Sequence, residues 1–258
     1  MRPICPSYSL SLVITIAIVG CSSSKTPPKP VETTPVVTYF NVDSATAGAI
    51  TGKISYSGKP AAHKAIDMSE DPACVAAHHG KAYDESLVVG PGSGLANVFV
   101  YIKSGLEGKN FPVPTNPIVI NQGGCQFHPH VLGVQVGQPF QVTNSDPVTH
   151  NIHPMAEINR EWNHSQGPGD PALNRKFLKP EIMIPVKCNI HSWMHAYIGV
   201  LDHPYFSISK DDGTFQISNL PPGTYTLATW QEKLGEQTQQ ITVPASGNIT
   251  ANFAYKGK

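Results

Sequence analysis

Along most of the chain, hydrophobic and polar residues alternate with a period of two, which is the pattern of a β-strand with one buried face. The first clear run is Gly-Ala-Ile-Thr-Gly-Lys-Ile-Ser-Tyr from residue 48, and a Gly-Lys-Pro turn follows it at 58–60. Similar runs, separated by Gly, Pro, Asn and Asp, occur at 95–102, 117–120, 131–144, 181–187, 196–201, 211–217, 220–227, 239–243 and 249–255. Residues 71–79 and 156–162 are marginal helical candidates. The pattern therefore predicts an all-β fold.

The first 45 residues lack this alternation. Arg2 precedes an apolar run at 10–19 that is too short to span a bilayer and ends at Gly20-Cys21, which resembles the lipobox of bacterial lipoproteins. The resemblance implies a signal peptide at 1–20 and a lipid on the Cys21 thiol. It also implies an extracytoplasmic location at the outer membrane, facing the periplasm or the surface, with the inner membrane as the alternative. Residues 21–45, rich in Pro, Thr and Ser, are predicted to be a lipid-anchored linker.

The charge balance excludes one class of partner. The 258 residues include 18 Lys plus Arg and 18 Asp plus Glu, without a basic run, so the chain has no electrostatic footprint for nucleic acid. The sequence also contains no nucleophile–base constellation, no phosphate-binding Gly loop and no pair of acids at a recognisable spacing. We therefore expect a protein that is not an enzyme.

The five cysteines fall into four groups if the lipobox resemblance holds. Cys5 is removed with the signal peptide, and Cys21 carries the lipid. Cys74 and Cys125 lie in loop-like sequence and are the natural disulfide pair in an oxidising compartment. Cys188 is then an odd thiol, and such a thiol outside the cytoplasm is a liability unless it is deeply buried or bound to a metal. The sequence around it favours a metal.

Motifs near the beginning and near the end of the predicted folded part together indicate one domain. The strand and turn at 48–60 and the Asp-Asp-Gly-Thr-Phe turn with the Leu-Pro-Pro-Gly-Thr-Tyr-Thr-Leu strand at 211–227 resemble the carboxypeptidase regulatory-like, transthyretin-like β-sandwich. The resemblance implies one discontinuous domain made of residues 46–105 plus 203–258. A second domain, residues 106–202, is then inserted in it or packed beside it.

Two motifs in this second segment carry the candidate chemistry. Asn-Ser-Asp-Pro-Val-Thr-His-Asn occupies 144–151, and Cys-Asn-Ile-His-Ser-Trp-Met occupies 188–194. Together they resemble the ligand loops of plastocyanin-like cupredoxins, which implies a Greek-key β-sandwich with one mononuclear (type 1) copper ion. A thiolate, two imidazoles and a weak thioether suit copper, because both of its oxidation states accept this set.

The resemblance assigns four copper ligands, His150, Cys188, His191 and Met194. His153 is the alternative to His150, because residues three apart on an extended segment face opposite sides. His195 is the alternative to Met194, since only two residues separate His191 from Met194 and plastocyanins have four there.

The combined resemblance implies a membrane-anchored copper protein that transfers single electrons to or from redox partner proteins outside the cytoplasm. Two alternatives stay open. The chain is a structural, carbohydrate-binding or protein-binding lipoprotein whose metal is stabilising or absent, or it stores or delivers copper.

Overall fold

The computed structural model describes residues 37–59, 64–78 and 80–257. The predicted signal peptide, Cys21 and most of the predicted linker lie outside these residues. Among the described residues, no helix has the length and apolar content needed to span a membrane.

Strands account for nearly all regular structure in the described part of the chain, which confirms the all-β prediction. They are β1 (Gly48–Ser57), β2 (Phe99–Ser104), β3 (Ile118–Gly123), β4 (Gln126–His128), β5 (Val131–Gln135), β6 (Phe140–Asn144), β7 (His150–Pro154), β8 (His164–Gln166), β9 (Leu173–Arg175), β10 (Glu181–Lys187), β11 (His195–Leu201), β12 (Phe206–Ile208), β13 (Thr214–Leu220), β14 (Gly223–Gln231), β15 (Gly235–Val243), β16 (Asn248–Thr250) and β17 (Phe253–Lys256). A six-residue helix, α1 (Pro72–Ala77), and a 3₁₀ turn (Pro91–Ser93) complete the elements.

Two of the four sheets are built from the beginning and the end of the described chain. One has the order β13-β1-β16, with β17 also paired to β1, and the other has the order β12-β2-β14-β15. Their inward-facing residues, such as Ile54 on β1 and Leu227 on β14, are fully buried in one shared core. The alternation of β1 places Ile50, Ile54 and Tyr56 on this buried face.

The other two sheets come from the middle of the chain, in the orders β5-β11-β10-β7-β8 and β4-β3-β6-β9. A second core lies between them and contains Ile120, Val142, Ile152 and Ile198. A smaller cluster with Phe99 on β2 and other residues on β5, β10, β11 and β14 joins the two sheet pairs. From residue 37 onward the chain forms one compact unit, and the domain boundaries given above stay predictions.

The two helical candidates have different outcomes. Within 71–79, helix α1 forms because the Asp71 carboxylate caps it and Pro72 occupies its first turn. Cys74 therefore lies on a helix and not in a loop. The candidate at 156–162 is wrong, because these residues form bends and irregular structure. The carboxylate of Glu181 accepts the backbone N–H groups of residues 157, 158 and 159 at 2.7–3.2 Å and holds the segment in this non-helical path.

Candidate metal centre

The loop between β10 and β11 carries the second predicted motif. The two strands pair antiparallel with Lys187 opposite His195, so residues 188–194 form the connecting loop. Two backbone hydrogen bonds close it: Cys188 N–H donates to the Met194 carbonyl and Met194 N–H donates to the His191 carbonyl, both at 3.1 Å. The loop therefore holds Cys188 and His191 in a fixed relation.

The start of β7 brings the first predicted histidine to this loop. His150, Cys188 and His191 have exposed fractions of 0%, 3% and 3%, and their ligand atoms lie within 4.8 Å of one another. His150 Nδ1 is 3.0 Å from His191 Nδ1, and His191 Nδ1 is 3.8 Å from Cys188 Sγ. One thiol sulfur and two imidazole nitrogens thus face a common point.

Each imidazole is held from behind by a carboxylate. His150 Nε2 lies 2.7 Å from Asp146 Oδ2, and His191 Nε2 lies 3.0 Å from Asp71 Oδ2. A carboxylate accepts hydrogen bonds, so both Nε2 atoms carry the proton and both Nδ1 atoms are left as lone-pair donors. Two facing lone pairs 3.0 Å apart repel each other unless a proton or a metal ion lies between them. Carboxylates behind ligand imidazoles are a regular feature of metal sites.

The surroundings shift the pKa values of His150 and Asp71. Burial lowers the pKa of His150, although the hydrogen bond and charge of Asp146 oppose this shift. The hydrogen bond from His191, followed by the N–H of Cys74, lowers the pKa of Asp71. A neutral His150 and an ionised Asp71 are the forms that a metal site requires.

The Cys188 sulfur accepts hydrogen bonds from three backbone N–H groups. They belong to Asn151, Ile190 and His191, each 3.4 Å from the sulfur. These three contacts hold the sulfur in a fixed position. Asn151 also ties the two motifs together, because its side-chain oxygen accepts the N–H of Asn189 at 3.2 Å. Cys188 is the free cysteine of the described chain.

A disulfide lies against the same site. Cys74 and Cys125 are bonded, as the sequence predicts, and the Cys74 sulfur lies 3.6 Å from His191 Nε2. Trp193 donates its indole N–H to the Cys125 carbonyl at 3.0 Å. The disulfide therefore fixes helix α1, with Asp71, over the edge of the His191 ring.

The remaining predicted ligands occupy other positions. Met194 is 1% exposed and packs in the core that contains Cys188. His153 contacts Glu161 through Nε2 at 2.5 Å and Asn189 through Nδ1 at 3.4 Å, and it is not part of the group formed by the three ligand atoms. His195 donates from Nδ1 to the Trp193 carbonyl at 3.0 Å and belongs to a separate cluster.

Sequence reasoning missed the two carboxylates. Asp146 stands four residues before His150 inside the recognised motif, so a search for a carboxylate near each ligand histidine finds it. Asp71 is 120 residues from His191, and its only local signal is the Asp-Pro pair that starts a helix.

The three ligand atoms fit a single metal ion. In protein sites of this kind, metal–nitrogen distances are about 2.0–2.1 Å and metal–sulfur distances are about 2.3 Å. The N–N separation of 3.0 Å and the N–S separation of 3.8 Å are shorter than the corresponding sums of about 4 Å and about 4.4 Å. One ion can therefore contact both atoms of each of these two pairs.

Comparison with known proteins gives partial matches. A family profile described as polysaccharide lyase family 4, domain II, matches residues 192–251, and this range crosses the predicted boundary at 202/203. Among curated proteins, no sequence matches the chain.

Three solved structures are similar to part of the chain. A copper-containing nitrite reductase from Thermus scotoductus SA-01 is 21% identical, with a TM-score of 0.32, over 39% of this chain and 25% of that one. A purple cupredoxin from Nitrosopumilus maritimus is 22% identical, with a TM-score of 0.28, over 32% of this chain and 97% of that one. An oxidized point mutant of amicyanin is 19% identical, with a TM-score of 0.30, over 39% of this chain and 97% of that one. The chain thus spans a quarter of the reductase.

Proposed function

We propose that the protein binds one copper ion at His150, Cys188 and His191 and transfers single electrons. The observation that carries the proposal is the pair of Nδ1 atoms 3.0 Å apart, beside a buried thiol, with both Nε2 atoms on carboxylates. Two imidazoles and a thiolate that converge in this way call for a cation, and sulfur with nitrogen suits copper. Met194 is proposed as a weak fourth ligand because it closes the same loop.

Copper supplies a one-electron couple when bound, and the residues of this chain hold its ligands still. The three N–H groups on Cys188 fix the sulfur, and Asp146 fixes the His150 ring from behind. Asp146 is itself fixed by the N–H groups of Gly124 and Cys125 at 2.6 and 2.7 Å. Ligands restrained in this way move little between oxidation states, and small movement favours fast electron transfer.

Burial of the ligands favours an electron carrier over a copper-delivery protein and over an enzyme. None of the three ligand residues is more than 3% exposed, so neither a receiving metal ligand nor a substrate reaches the site without a rearrangement. An electron, in contrast, can pass between the buried ion and a partner protein that contacts the nearby protein surface. Ile190, next to His191, is 53% exposed and lies at such a surface, where we propose that a redox partner protein docks.

The compartment and the anchor are part of the same proposal. A disulfide between Cys74 and Cys125 is typical of oxidising, extracytoplasmic compartments. We propose that the protein works there, attached to a membrane by a lipid on Cys21.

A second candidate function is a binding module. It is favoured by the match of residues 192–251 to a domain of a polysaccharide lyase family. In that case the sheets that contain β13 to β16 bind a carbohydrate or a partner protein, and the metal stabilises the fold or is absent.

The visible absorption spectrum of the full chain, titrated with Cu²⁺, tests the proposal. We expect an intense thiolate-to-copper band that saturates at one equivalent and disappears in Cys188→Ser. Met194→Leu should shift the band if the thioether is a ligand, and His153→Gln is the matched control that should leave it unchanged. Absence of the band from the wild-type protein would reject the electron-carrier proposal and leave the binding module.

A further inference from the structure

A second cluster of ligand-type side chains lies outside the site described above. It consists of His130 immediately before β5, His195 at the start of β11 and Glu232 immediately after β14. The side chains of His130 and Glu232 are each 3% exposed, and that of His195 is 33% exposed. Three separate elements of the fold thus bring these groups together.

The polar atoms of the cluster converge on one carboxylate. His130 Nε2 lies 2.6 Å from Glu232 Oε2, and His195 Nε2 lies 3.8 Å from Glu232 Oε1. The two imidazole rings meet edge to face, with centroids 5.0 Å apart. One ligand atom from each residue lies within 4.8 Å of the other two.

The hydrogen bonds of His195 fix which of its nitrogens is free. Nδ1 lies 3.0 Å from the carbonyl oxygen of Trp193, so it carries the proton and donates. In the neutral ring Nε2 then has a lone pair, and Glu232 Oε1 lies 3.8 Å from it. This separation leaves room for a cation between the two atoms.

Glu232 Oε1 has charged neighbours but no hydrogen bond. Its Oε1 is buried and accepts no hydrogen bond from a described residue. Lys233 Nζ lies 3.4 Å away without hydrogen-bond alignment, on a side chain that is 57% exposed. A buried carboxylate oxygen without a hydrogen bond costs folding free energy, and a bound cation removes that cost.

We propose that His130, His195 and Glu232 form a second metal site for a divalent ion of borderline character, Zn²⁺ or Cu²⁺. Two imidazoles and a carboxylate are a regular ligand set for such ions. His130 Nε2 donates its proton to Glu232 Oε2 in the metal-free protein, and it binds the ion once that proton has moved to Nδ1. The 3.8 Å between His195 Nε2 and Glu232 Oε1 is shorter than the sum of a metal–nitrogen and a metal–oxygen distance, about 4.2 Å. The set contains no sulfur, so this ion has no thiolate charge-transfer band and is distinguishable from copper at Cys188.

The position of the site defines its role. Glu232 belongs to the β14–β15 hairpin, whereas His130 and His195 belong to the sheet that holds the Cys188 loop. An ion held by all three fastens the hairpin to that loop. It also fixes the residue directly after Met194.

Zn²⁺ binding by the full chain in the Cys188→Ser background tests this proposal without the thiolate. We expect isothermal titration to show one more tight equivalent in Cys188→Ser than in Cys188→Ser/Glu232→Gln. Loss of a direct ligand should weaken that equivalent by more than about 100-fold, beyond the effect of an outer-sphere partner. Glu85→Gln, whose side chain lines the same small cavity as His130 and His195, and Lys233→Gln are the controls that should retain it.

Two measurements keep the test decisive if Glu232→Gln fails to fold. Co²⁺ added to Cys188→Ser should give visible d–d bands of a nitrogen and oxygen ligand set. Zn²⁺ should also raise the thermal midpoint of Cys188→Ser but not that of Cys188→Ser/His195→Gln, whose substitution is at a partly exposed position. Equal Zn²⁺ stoichiometry and affinity with and without Glu232, or no Zn²⁺-dependent rise in midpoint, overturns the second site and leaves the copper proposal untouched.

Discussion

Replacement of Asp71 tests whether the carboxylates set the protonation of the ligand imidazoles. Asp71 Oδ1 accepts the N–H groups of Ala73 and Cys74 at 2.9 and 3.2 Å and so caps helix α1, while Oδ2 faces His191 Nε2 at 3.0 Å. Asn caps a helix about as well as Asp, but only through its carbonyl oxygen. The cap therefore directs the amide nitrogen of Asp71→Asn at His191.

An amide nitrogen only donates. His191 Nε2 must then accept, and its proton moves to Nδ1, the atom that faces His150 and Cys188. Partners behind ligand histidines contribute about 10–100-fold to metal affinity. We expect a loss of about 10-fold, the low end, because the Asp71 side chain is 32% exposed and water replaces part of its effect. Asp71→Ser caps the helix but does not reach the ring, so it should lose less affinity than Asp71→Asn.

Copper affinity is measured by competition with a chromophoric chelator, and the imidazole protonation by ¹⁵N NMR of the metal-free protein. Urea unfolding of the metal-free variants is the control, and both variants should match wild type closely because both keep the cap. The reasoning is refuted if Asp71→Asn binds copper as tightly as Asp71→Ser while His191 keeps its proton on Nε2.

Three further predictions concern stability. Replacing Cys74 and Cys125 together by Ala opens a 51-residue separation and should lower the free energy of unfolding in urea by about 4 kcal/mol; a loss under about 1 kcal/mol contradicts the loop-entropy model. Burial lowers the pKa of His203, so the unfolded chain takes up a proton at a higher pH than the folded chain does, and the free energy of unfolding falls as the pH drops through about 6.5. His203→Gln should reduce the slope of the free energy of unfolding against pH by up to about 1.4 kcal/mol per pH unit, and an unchanged slope in urea unfolding at pH 5–8 refutes this. Gly199→Ala places a Cβ 2.4 Å from the buried Phe99 ring and should cost about 1–3 kcal/mol by thermal denaturation, whereas a neutral result shows that the ring moves freely.

The strands could be predicted from the sequence because the alternation of hydrophobic and polar residues that defines each strand lies within a few consecutive residues. The alternation at 48–56 and 220–227 appears as β1 and as the start of β14, since one face of each strand is buried in the same core. The candidate helix at 156–162 failed for the opposite reason. A carboxylate from residue 181 accepts three of its backbone N–H groups and holds it in a non-helical path, and no local pattern contains that contact.

The residues of the candidate site likewise divide into those that a local motif indicates and those that only the folded structure reveals. Cys188 and His191 share one short loop, and Asn151 marks its histidine, so a motif of a few residues is enough to indicate them. Asp71 and Glu232 enter their clusters through contacts that span 120 and 102 residues. Their roles in the two clusters can therefore be recognised only in the folded structure.

The position of the disulfide implies an order of maturation. Cys74 lies in one group with Asp71 and His191, and Cys125 lies in another with Asp146 and His150. A reduced chain therefore places three thiols around the two ligand histidines. Such a sulfur-rich group of ligands binds soft or zinc-like ions in the wrong arrangement. Oxidation of the pair withdraws two of those sulfurs and leaves Cys188 alone. Under the proposed function, disulfide formation before metal loading leaves one thiol beside the two histidines, and the order of these two steps therefore selects the ligand set.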